Sequence, residues 1–539
     1  MLIQYIPTLY VLVLLPVVVG AIGYFLPRRM YQGVLLVFGL VMIAISAAVF
    51  YEVRVMGEVV EQVAGWGDSI SISLRADELS APLVLMTSVL FFLFFVFNSR
   101  APYMDNTFQY LFMTLQCALL GMFLSGDLFN VYVIMEVGML AVSILIMYKK
   151  EKQSVYDGMM YLMINFLAMA FMLLGIGYLY RITGVLDFIG MHNKIAQIND
   201  PRALVLPYAL IMTAIALKAA LFPLFSWLPR AHGAPSAPSI ISATLSGVQV
   251  KVGVYLLIRM QWVFSPVIDA SVFFAVLGFV TAVIGFLLAV SQKDIKLILA
   301  YHTVSQVGLI VLGLNGGTDY AFWGGMYHII NHAMFKGLLF LTAGVIIDQY
   351  GTRNYSQIRG VFRRMPWIGI AGFAGVLGIT GTPLFNGSIS KYLIQNGLQG
   401  NLAEIGMFIV NLGTVLSFVK YSTMFFGKAP DEVKPLKDPY INGVSMLIGL
   451  GCLAGGIFGA QAVQLLYGQS YNLSGTLGAE KLIMFAITLA LGIALYFGVV
   501  KRIGGFLQRI RDNKLNYNQV ALLITVFFAF LTTYLYITV

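Results

Sequence analysis

Charge is what this sequence has least of. Over 539 residues, Asp, Glu, Lys and Arg amount to 10%, against about 25% in a soluble globular chain, so a water-exposed globular surface is excluded. Cysteine is nearly missing too. Cys117 and Cys452 both fall in apolar runs and form no C-x-x-C pair, which argues against a disulfide framework or an iron–sulfur cluster. Any electron transfer near this chain would belong to another subunit. The first apolar run lacks the basic leader and small-residue cleavage site of a signal peptide and leads instead into Pro27, Arg28 and Arg29. It reads as a retained first helix.

Apolar residues fill the space. They make up 59% of the chain, and the mean hydropathy is +0.87. Runs long enough to cross a hydrocarbon core of about 30 Å as helices recur sixteen times. Their cores lie near 8–26, 32–51, 80–98, 107–124, 128–148, 156–180, 205–228, 238–258, 269–290, 297–313, 320–346, 367–395, 404–427, 441–465, 482–500 and 517–537. The expected fold is an all-α polytopic membrane protein with about 16 transmembrane helices. The net charge of +10 does not point to nucleic acid, because the basic residues are scattered over short loops and form no soluble domain. Alternate loops carry 21 Lys and Arg on one side and 7 on the other, which by the positive-inside rule places both termini outside.

Between spans 2 and 3, alternation of polar and apolar residues over Ser69 to Leu74 suggests a short strand at the outer surface. Spans 7 and 12 are interrupted, the first at LFPLFSWLP around Pro223 and Pro229, the second at GITGTPLFNG around Pro383. Proline withdraws a backbone donor, and a membrane helix tolerates the break only where protein or a water-filled cavity satisfies the freed groups. Matching breaks in two halves of a chain are a sign of repeated transporter units. Helices 4–8 and 9–13 would be two five-helix repeats, and the odd helix number would make them inverted. The expected division is 1–106 for the three N-terminal helices, 107–260 for the first inverted repeat, 261–428 for the second and 429–539 for helices 14–16. GLGCLAGG from Gly449 begins like a nucleotide fingerprint, but it lies in an apolar span and follows no soluble strand. Small-residue helix packing is the better reading.

Ionisable residues at helix centres stand out against this background, since each costs roughly 2.5–3.5 kcal/mol to insert. Glu136 is the one acidic residue near a helix centre; its bland explanation is a structural ion pair. Lys218 stands five residues before Pro223, where unwinding would expose carbonyls beside its ammonium. A carboxylate that moves or changes protonation next to a buried lysine shifts that lysine between its charged and neutral forms, so the pair would act as a proton-loading switch. Lys251, midway along span 8, would carry the route onward. His328, His332 and Lys336 stand at i, i+4 and i+8 on one stripe of span 11, a spacing suited to a proton relay. Two histidines one turn apart can also share a metal ion, but no Cys or carboxylate accompanies them and Lys336 would repel a cation, so no metal is expected. Lys391 follows the break in span 12 and would end the path towards the outside. His302 and Lys420 are accessory candidates: His302 has Thr303, Ser305 and Gln306 beside it, and Lys420 is eight residues from Lys428, close enough to snorkel to the interface.

Taken together, Glu136, the stretch LKAALFPLFSWLPRAHGAPSAPSIISATLSGVQVKVGVY with Lys218 and Lys251, HIINHAMFKGLLF, and GTPLFNGSISKYLI with Lys391 give a resemblance to one family. Over residues 80–430 the chain resembles the antiporter-like subunits of respiratory complex I, membrane-bound hydrogenases and Mrp-type cation/proton antiporters. The resemblance implies that Glu136 and Lys218 form a coupled pair, that Lys251, His328 and His332 form the central relay, and that Lys391 lies near the exit. It is closest to the D-type Mrp subunit, although that type has one helix after span 13 where this chain has three. The stretch 470–539 therefore looks additional, and VKRIGGFLQRIRDNK within it is expected as an interfacial turn.

What the resemblance implies is a proton-translocating subunit of a multisubunit Mrp-type Na+(K+)/H+ antiporter in a prokaryotic plasma membrane. Protons would pass along Glu136, Lys218, Lys251, His328, His332, Lys336 and Lys391. The expected partners are other integral membrane subunits of a large hetero-oligomeric complex, the lipid bilayer, H+ and Na+. Neither a cofactor nor nucleic acid is expected, and no catalytic residue is assigned. Two rival readings stay open: a proton- or Na+-pumping subunit of a redox-driven complex of the hydrogenase, sulfur reductase or NADH:quinone oxidoreductase type, and a stand-alone secondary transporter.

Overall fold

Buried backbone groups need partners wherever water is missing, and a helix supplies them internally; this chain is accordingly almost all helix. The computed structural model describes residues 7–62, 72–233, 237–512 and 515–539. The N-terminal part comprises α1 (Thr8–Tyr24), α2 (Arg28–Met56), the strands β1 (Glu58–Gln62) and β2 (Ser73–Asp77), α3 (Ser80–Asn98), α4 (Asn106–Leu124), α5 (Leu128–Ile146), α6 (Lys152–Thr183) and the short α7 (Phe188–Ile195). The middle of the chain forms α8 (Val205–Lys218), α9 (Trp227–Gly233), α10 (Ser239–Thr244), α11 (Val250–Phe264), α12 (Ser271–Ser291), α13 (Ile295–Leu314) and α14 (Asp319–Tyr350). After them come α15 (Val361–Arg364), α16 (Pro366–Thr380), α17 (Asn386–Gly397), α18 (Asn401–Ser422), α19 (Pro439–Ile457), α20 (Gly459–Tyr467), α21 (Ala479–Leu495), α22 (Gly504–Asp512) and α23 (Tyr517–Thr538). Among the described residues, fourteen helical stretches are long and apolar enough to cross a membrane, against the sixteen expected; the first and twelfth expected spans fall on α1 and α16, which are apolar but shorter. The chain is a polytopic, all-α membrane protein.

The scarce acidic residues sit largely at helix starts. Asp105, Asp127, Asp187, Asp294 and Asp438 each accept backbone N–H bonds at the N-terminus of α4, α5, α7, α13 and α19, where free donors and the helix dipole favour an anion.

Both expected breaks are present. In span 7, α8 stops at Lys218 and the chain resumes as a helix at Trp227. Pro229 is not part of that break: it sits in the first turn of α9, where proline is tolerated. In span 12, α16 stops at Thr380 and α17 starts at Asn386, with Pro383 between them. Each break holds one non-glycine residue in the left-handed region, Ala220 (φ 54°) and Leu384 (φ 72°), a conformation that costs of order 1–3 kcal/mol and persists only where the surroundings enforce it. Close packing does so. A Cβ on Gly253 of α11 would stand 2.4 Å from Ala219 N, and one on Gly387 of α17 would stand 1.9 Å from Gly378 O.

The long helix α14 is buried along most of its length and packs against α10, α13, α16, α17 and α19. The tail wraps this core, with α21 against α18 and α23 against α8 and α6. Around Gly449, α19 meets Ala371 and Ala374 of α16, so the GLGCLAGG stretch is a packing surface. The expected interfacial turn contains the short, largely exposed α22.

The strand expected at Ser69–Leu74 falls partly outside the described residues and overlaps an observed strand at Ser73 and Leu74. Residues 69–71 lie outside the described residues, and the observed β2 runs from Ser73 to Asp77, antiparallel to β1 with Glu58 opposite Asp77. The aligned charges explain the register: Arg75 pairs with Glu58 at 2.7 Å, and Asp77 pairs with Arg259 of α11 at 2.5 Å. The hairpin is thus pinned to the bundle. We call its side of the molecule the hairpin face, and the opposite side, where Lys293, Arg353 and Lys428 lie, the basic face.

Burial opposes ionisation of Asp77, but the Arg259 guanidinium and hydrogen bonds from Arg259 and Ser80 outweigh it and hold the carboxyl below its usual range. The pinning is therefore stable at neutral pH and is lost only as pH falls through that lowered value. In Arg259→Met the sign reverses, because a buried, unpaired Asp77 is disfavoured when charged. Hydrogen-exchange protection of residues 73–77, taken relative to the intrinsic amide rate at each pH, should then fall as pH rises from 4 to 8, whereas in the wild type it should show no such loss across this range.

A buried line of amines and imidazoles

The first break creates the surroundings of Lys218. As the last residue of α8 it is 6% exposed, and Nζ has no hydrogen-bond partner in the protein. The neighbouring carbonyl, Leu217 O, is already taken by Trp227 Nε1 at 2.7 Å, and Phe222 N donates to Thr281 Oγ1 at 3.0 Å. The charge that faces Lys218 is Glu136 on α5, whose carboxylate also accepts a hydrogen bond from Tyr132. Glu136 is only partly buried, on a helix face where Val133, Val137 and Leu140 are exposed. The two do not form a direct ion pair, and Lys218 Nζ is left without a hydrogen-bond partner in the protein.

The next member, Lys251, is fully buried at the start of α11. Just before it, Leu245–Gln249 form a π turn, a device that widens the helix and is frequent at functional sites. There Lys251 Nζ donates to Ser246 O and lies 2.5 Å from His332 Nδ1. Ser246 Oγ in turn is 2.7 Å from Thr303 Oγ1 of α13.

On α14, His328, His332 and Lys336 are all fully buried, and the stripe is real. His332 Nε2 has no partner. The His328 ring lies 6.3 Å from that of His332 between centroids, with Nδ1 at 2.8 Å from Ser390 Oγ and Nε2 at 3.1 Å from Gln306 Oε1. Lys336 Nζ donates to Leu299 O at 2.6 Å. The two imidazoles are thus engaged with different neighbours and do not converge on one point.

Ser390 hands the line to Lys391, its neighbour in α17. Lys391 is 5% exposed and donates to Ile379 O at 2.9 Å, a carbonyl at the end of α16 beside the break. Beyond it lies a cavity of about 700 Å³, lined by Lys391, Asn396, Glu404, Asn411 and Glu480 among others. One wall of it is α21, from the stretch outside the family resemblance.

The accessory residues fare differently. His302 is fully buried against Phe418, ring centroids 4.8 Å apart, and neither nitrogen has a partner. Lys420 does not snorkel. It is 3% exposed, and its ammonium caps the C-terminal end of α12 through Val290 O (2.7 Å) and Gln292 O. The apolar interior thus contains an orphan helix end that Lys420 satisfies, which distance along the sequence to the next loop could not reveal. Two buried groups escaped the sequence reading: Lys296, taken for a loop residue, and His232, inside the proline-rich stretch. Both are 4% exposed or less.

A model of one transmembrane family, described as NADH:quinone oxidoreductase/Mrp antiporter, matches residues 125–417, more than half of the chain. The chain belongs to that family. Among relatives, it is 32% identical to the N-type subunit of the NADH-quinone oxidoreductase of Desulforudis audaxviator, over 77% of this chain and 82% of the relative. It is 31% identical to the D-type subunit of the Na(+)/H(+) antiporter of Alkalihalophilus pseudofirmus, over 83% of this chain and 94% of that one. A chain in the Mrp complex from Dietzia sp. DQ12-45-1b has the same fold, with a TM-score of 0.79 at 24% identity, covering 94% of this chain and 99% of that chain.

Removing the indole donor tests how the first break is held. Trp227→Phe removes one of the two donors to Leu217 O and leaves Ala220 N at 2.9 Å as the other, which should cost about 0.5–1.5 kcal/mol and lower the thermal midpoint of the detergent-purified protein. A midpoint equal to that of the wild type would show that Ala220 N alone satisfies Leu217 O.

Proposed function

We propose that this chain is the proton-translocating subunit of a multisubunit Mrp-type Na+(K+)/H+ antiporter, moving protons along Glu136, Lys218, Lys251, His328, His332, Lys336 and Lys391. The observation that carries the reading is the contact chain in the middle of the membrane. Lys251 meets His332, His328 on the same helix meets Ser390, and Ser390 precedes Lys391 at the mouth of a cavity. Proton transfer needs donors and acceptors within hydrogen-bond reach; Lys251 with His332 and His328 with Ser390 meet that condition, and the two imidazoles, 6.3 Å apart between centroids, bridge the step along α14. Relatives named as D-type subunits of Na(+)/H(+) antiporters support the antiporter assignment.

At the other end, Lys218 without a hydrogen-bond partner and Glu136, which faces it, form the adjustable element. When Glu136 approaches, the ammonium is favoured; when it withdraws or is neutralised, the lysine gives its proton up towards Lys251. The two breaks would lie in inverted repeats, helices 4–8 and 9–13, with the basic face inside the cell. Partner membrane subunits would supply the coupled ion movement.

A second reading has its own support. The relative named as an NADH-quinone oxidoreductase subunit favours a redox-driven complex in which the same line is driven by electron transfer elsewhere. Purifying the native complex and identifying its co-migrating subunits separates the two: iron–sulfur proteins point to the redox machine, and a set of small membrane subunits to the antiporter.

In the reconstituted complex, Glu136→Ala, Lys218→Ala and His332→Ala should each abolish cation-dependent proton movement while assembly is kept. Normal transport by any of these assembled variants overturns the line. For Lys420→Ala the expected defect is in stability, because the α12 carbonyls lose their cap, with transport per assembled complex reduced less than in Lys218→Ala.

A further inference from the structure

One surface groove lies apart from the buried line. It runs between α16 and α19, has a volume of about 250 Å³ and is lined by apolar residues alone. The lining extends from Phe362, ahead of α16, to Phe385, beyond it, with Ile370, Leu377, Leu450 and Leu453 along the sides. Its floor is set back because small residues meet there: a Cβ on Gly449 would stand 3.5 Å from Ala371 Cα and from Ala374 Cβ. Ile370 and Leu450 are exposed, so the groove opens outward. It shares no lining residue with the cavity beside Lys391.

Both helices start at the basic face. Arg364, the last residue of α15, donates to Pro430 O and pairs with Asp431 at 3.0 Å, which ties the start of α16 to the loop ahead of α19. In the same loop Asp438 pairs with Arg100 at 3.7 Å, and Arg100 lies 4.2 Å over the Tyr440 ring. With those two acids occupied, Glu432 is the acidic residue of the stretch 428–438 left to face Lys428, Lys434, Lys437 and Arg363. Arg363 adjoins Phe362 of the groove, Lys437 stands two residues ahead of α19, and both are exposed. Trp367 and Tyr440, exposed in the first turns of α16 and α19, stand where aromatic residues meet the headgroup layer of a bilayer.

Charge, aromatic rings and an apolar slot thus follow one another along one axis. From Ile370 to Leu377 the slot covers about 10 Å of helix. A transmembrane helix, about 10–12 Å across with its side chains, needs more room than the groove has. A single hydrocarbon chain fits its width and its chemistry.

We infer that this groove binds one acyl chain of an anionic phospholipid whose headgroup lies against Arg363 and Lys437. The far end of the chain meets Phe385, next to Leu384 with its positive φ, so the bound lipid packs against the outer side of the second break. The inference does not depend on the proposed proton line.

The test uses the complete complex in nanodiscs of phosphatidylcholine containing a small fraction of phosphatidylglycerol with a photoreactive diazirine on one acyl chain, the labelled peptides being read by mass spectrometry. Labelling should fall on α16 and α19 inside the groove, and phosphatidylcholine carrying the same diazirine should label there roughly 10-fold less. Arg363→Gln with Lys437→Gln should remove that preference, whereas Lys501→Gln with Arg502→Gln, exposed in the turn between α21 and α22, should keep it. Ala374→Phe, which fills the floor, should abolish labelling of the groove by either lipid. Equal labelling by the two lipids, a preference that survives the loss of Arg363 and Lys437, or labelling that persists in Ala374→Phe would each overturn the site. So would the lack of any lipid adduct in the groove of the wild type, as when a partner subunit covers it. Should Ala374→Phe fail to assemble, the two charge variants, altered only at exposed side chains, decide by the same ratio.

Discussion

An ammonium group cannot stand alone in an apolar interior, and in this protein backbone carbonyls hold almost all of the buried ones. Ser246 O, Leu299 O, Ile379 O and Ala237 O accept from Lys251, Lys336, Lys391 and Lys296, and the end of α12 accepts from Lys420. Most of these carbonyls lie at a helix end, a break or a π turn, where the regular ladder does not consume them. The irregular backbone and the buried lysines are therefore one feature. Lys218 is the exception. Its neighbouring carbonyl at Leu217 accepts from Trp227 and Ala220 instead, and its ammonium has no hydrogen-bond partner in the protein.

Close backbone approach is the second requirement. Gly253 lets α11 touch the backbone at Lys218, and Gly387 lets the start of α17 touch the end of α16; in both places the absence of a Cβ lets a helix pass beside a break. The largely buried α14 then presents its histidines to α11 on one side and to α17 on the other. The buried Lys251, Lys296, Lys336, Lys391 and Lys420 each find a carbonyl inside an interior made mostly of apolar side chains.

Much of this was legible in the sequence. Hydropathy alone located the fourteen helices long and apolar enough to span and the shorter α1 and α16, because length and apolarity are what a bilayer demands. Pro223 and Pro383 marked the breaks for the same covalent reason that makes them, and the i, i+4, i+8 spacing put His328, His332 and Lys336 on one stripe. Sequence distance failed where three-dimensional neighbours decide. Lys420 looked close to a loop yet ends against α12, Lys296 looked like a loop charge yet is buried, and Pro229 looked like a break yet begins a helix. The π turn before Lys251 left no trace in composition, since Leu, Ser, Gly, Val and Gln are ordinary in any membrane helix.

That π turn sets how much length variation the chain can tolerate. Five residues, Leu245–Gln249, complete a turn that an α-helix makes with fewer, so the segment stores one extra residue between α10 and α11. Losing one of them to a deletion would let the turn close as regular α-helix and leave the residues beyond it on nearly the same face, whereas the same loss in a regular stretch would turn everything beyond it by about 100°. Among homologous genes, a length difference of one residue should therefore be tolerated here and selected against elsewhere in α11 or α14.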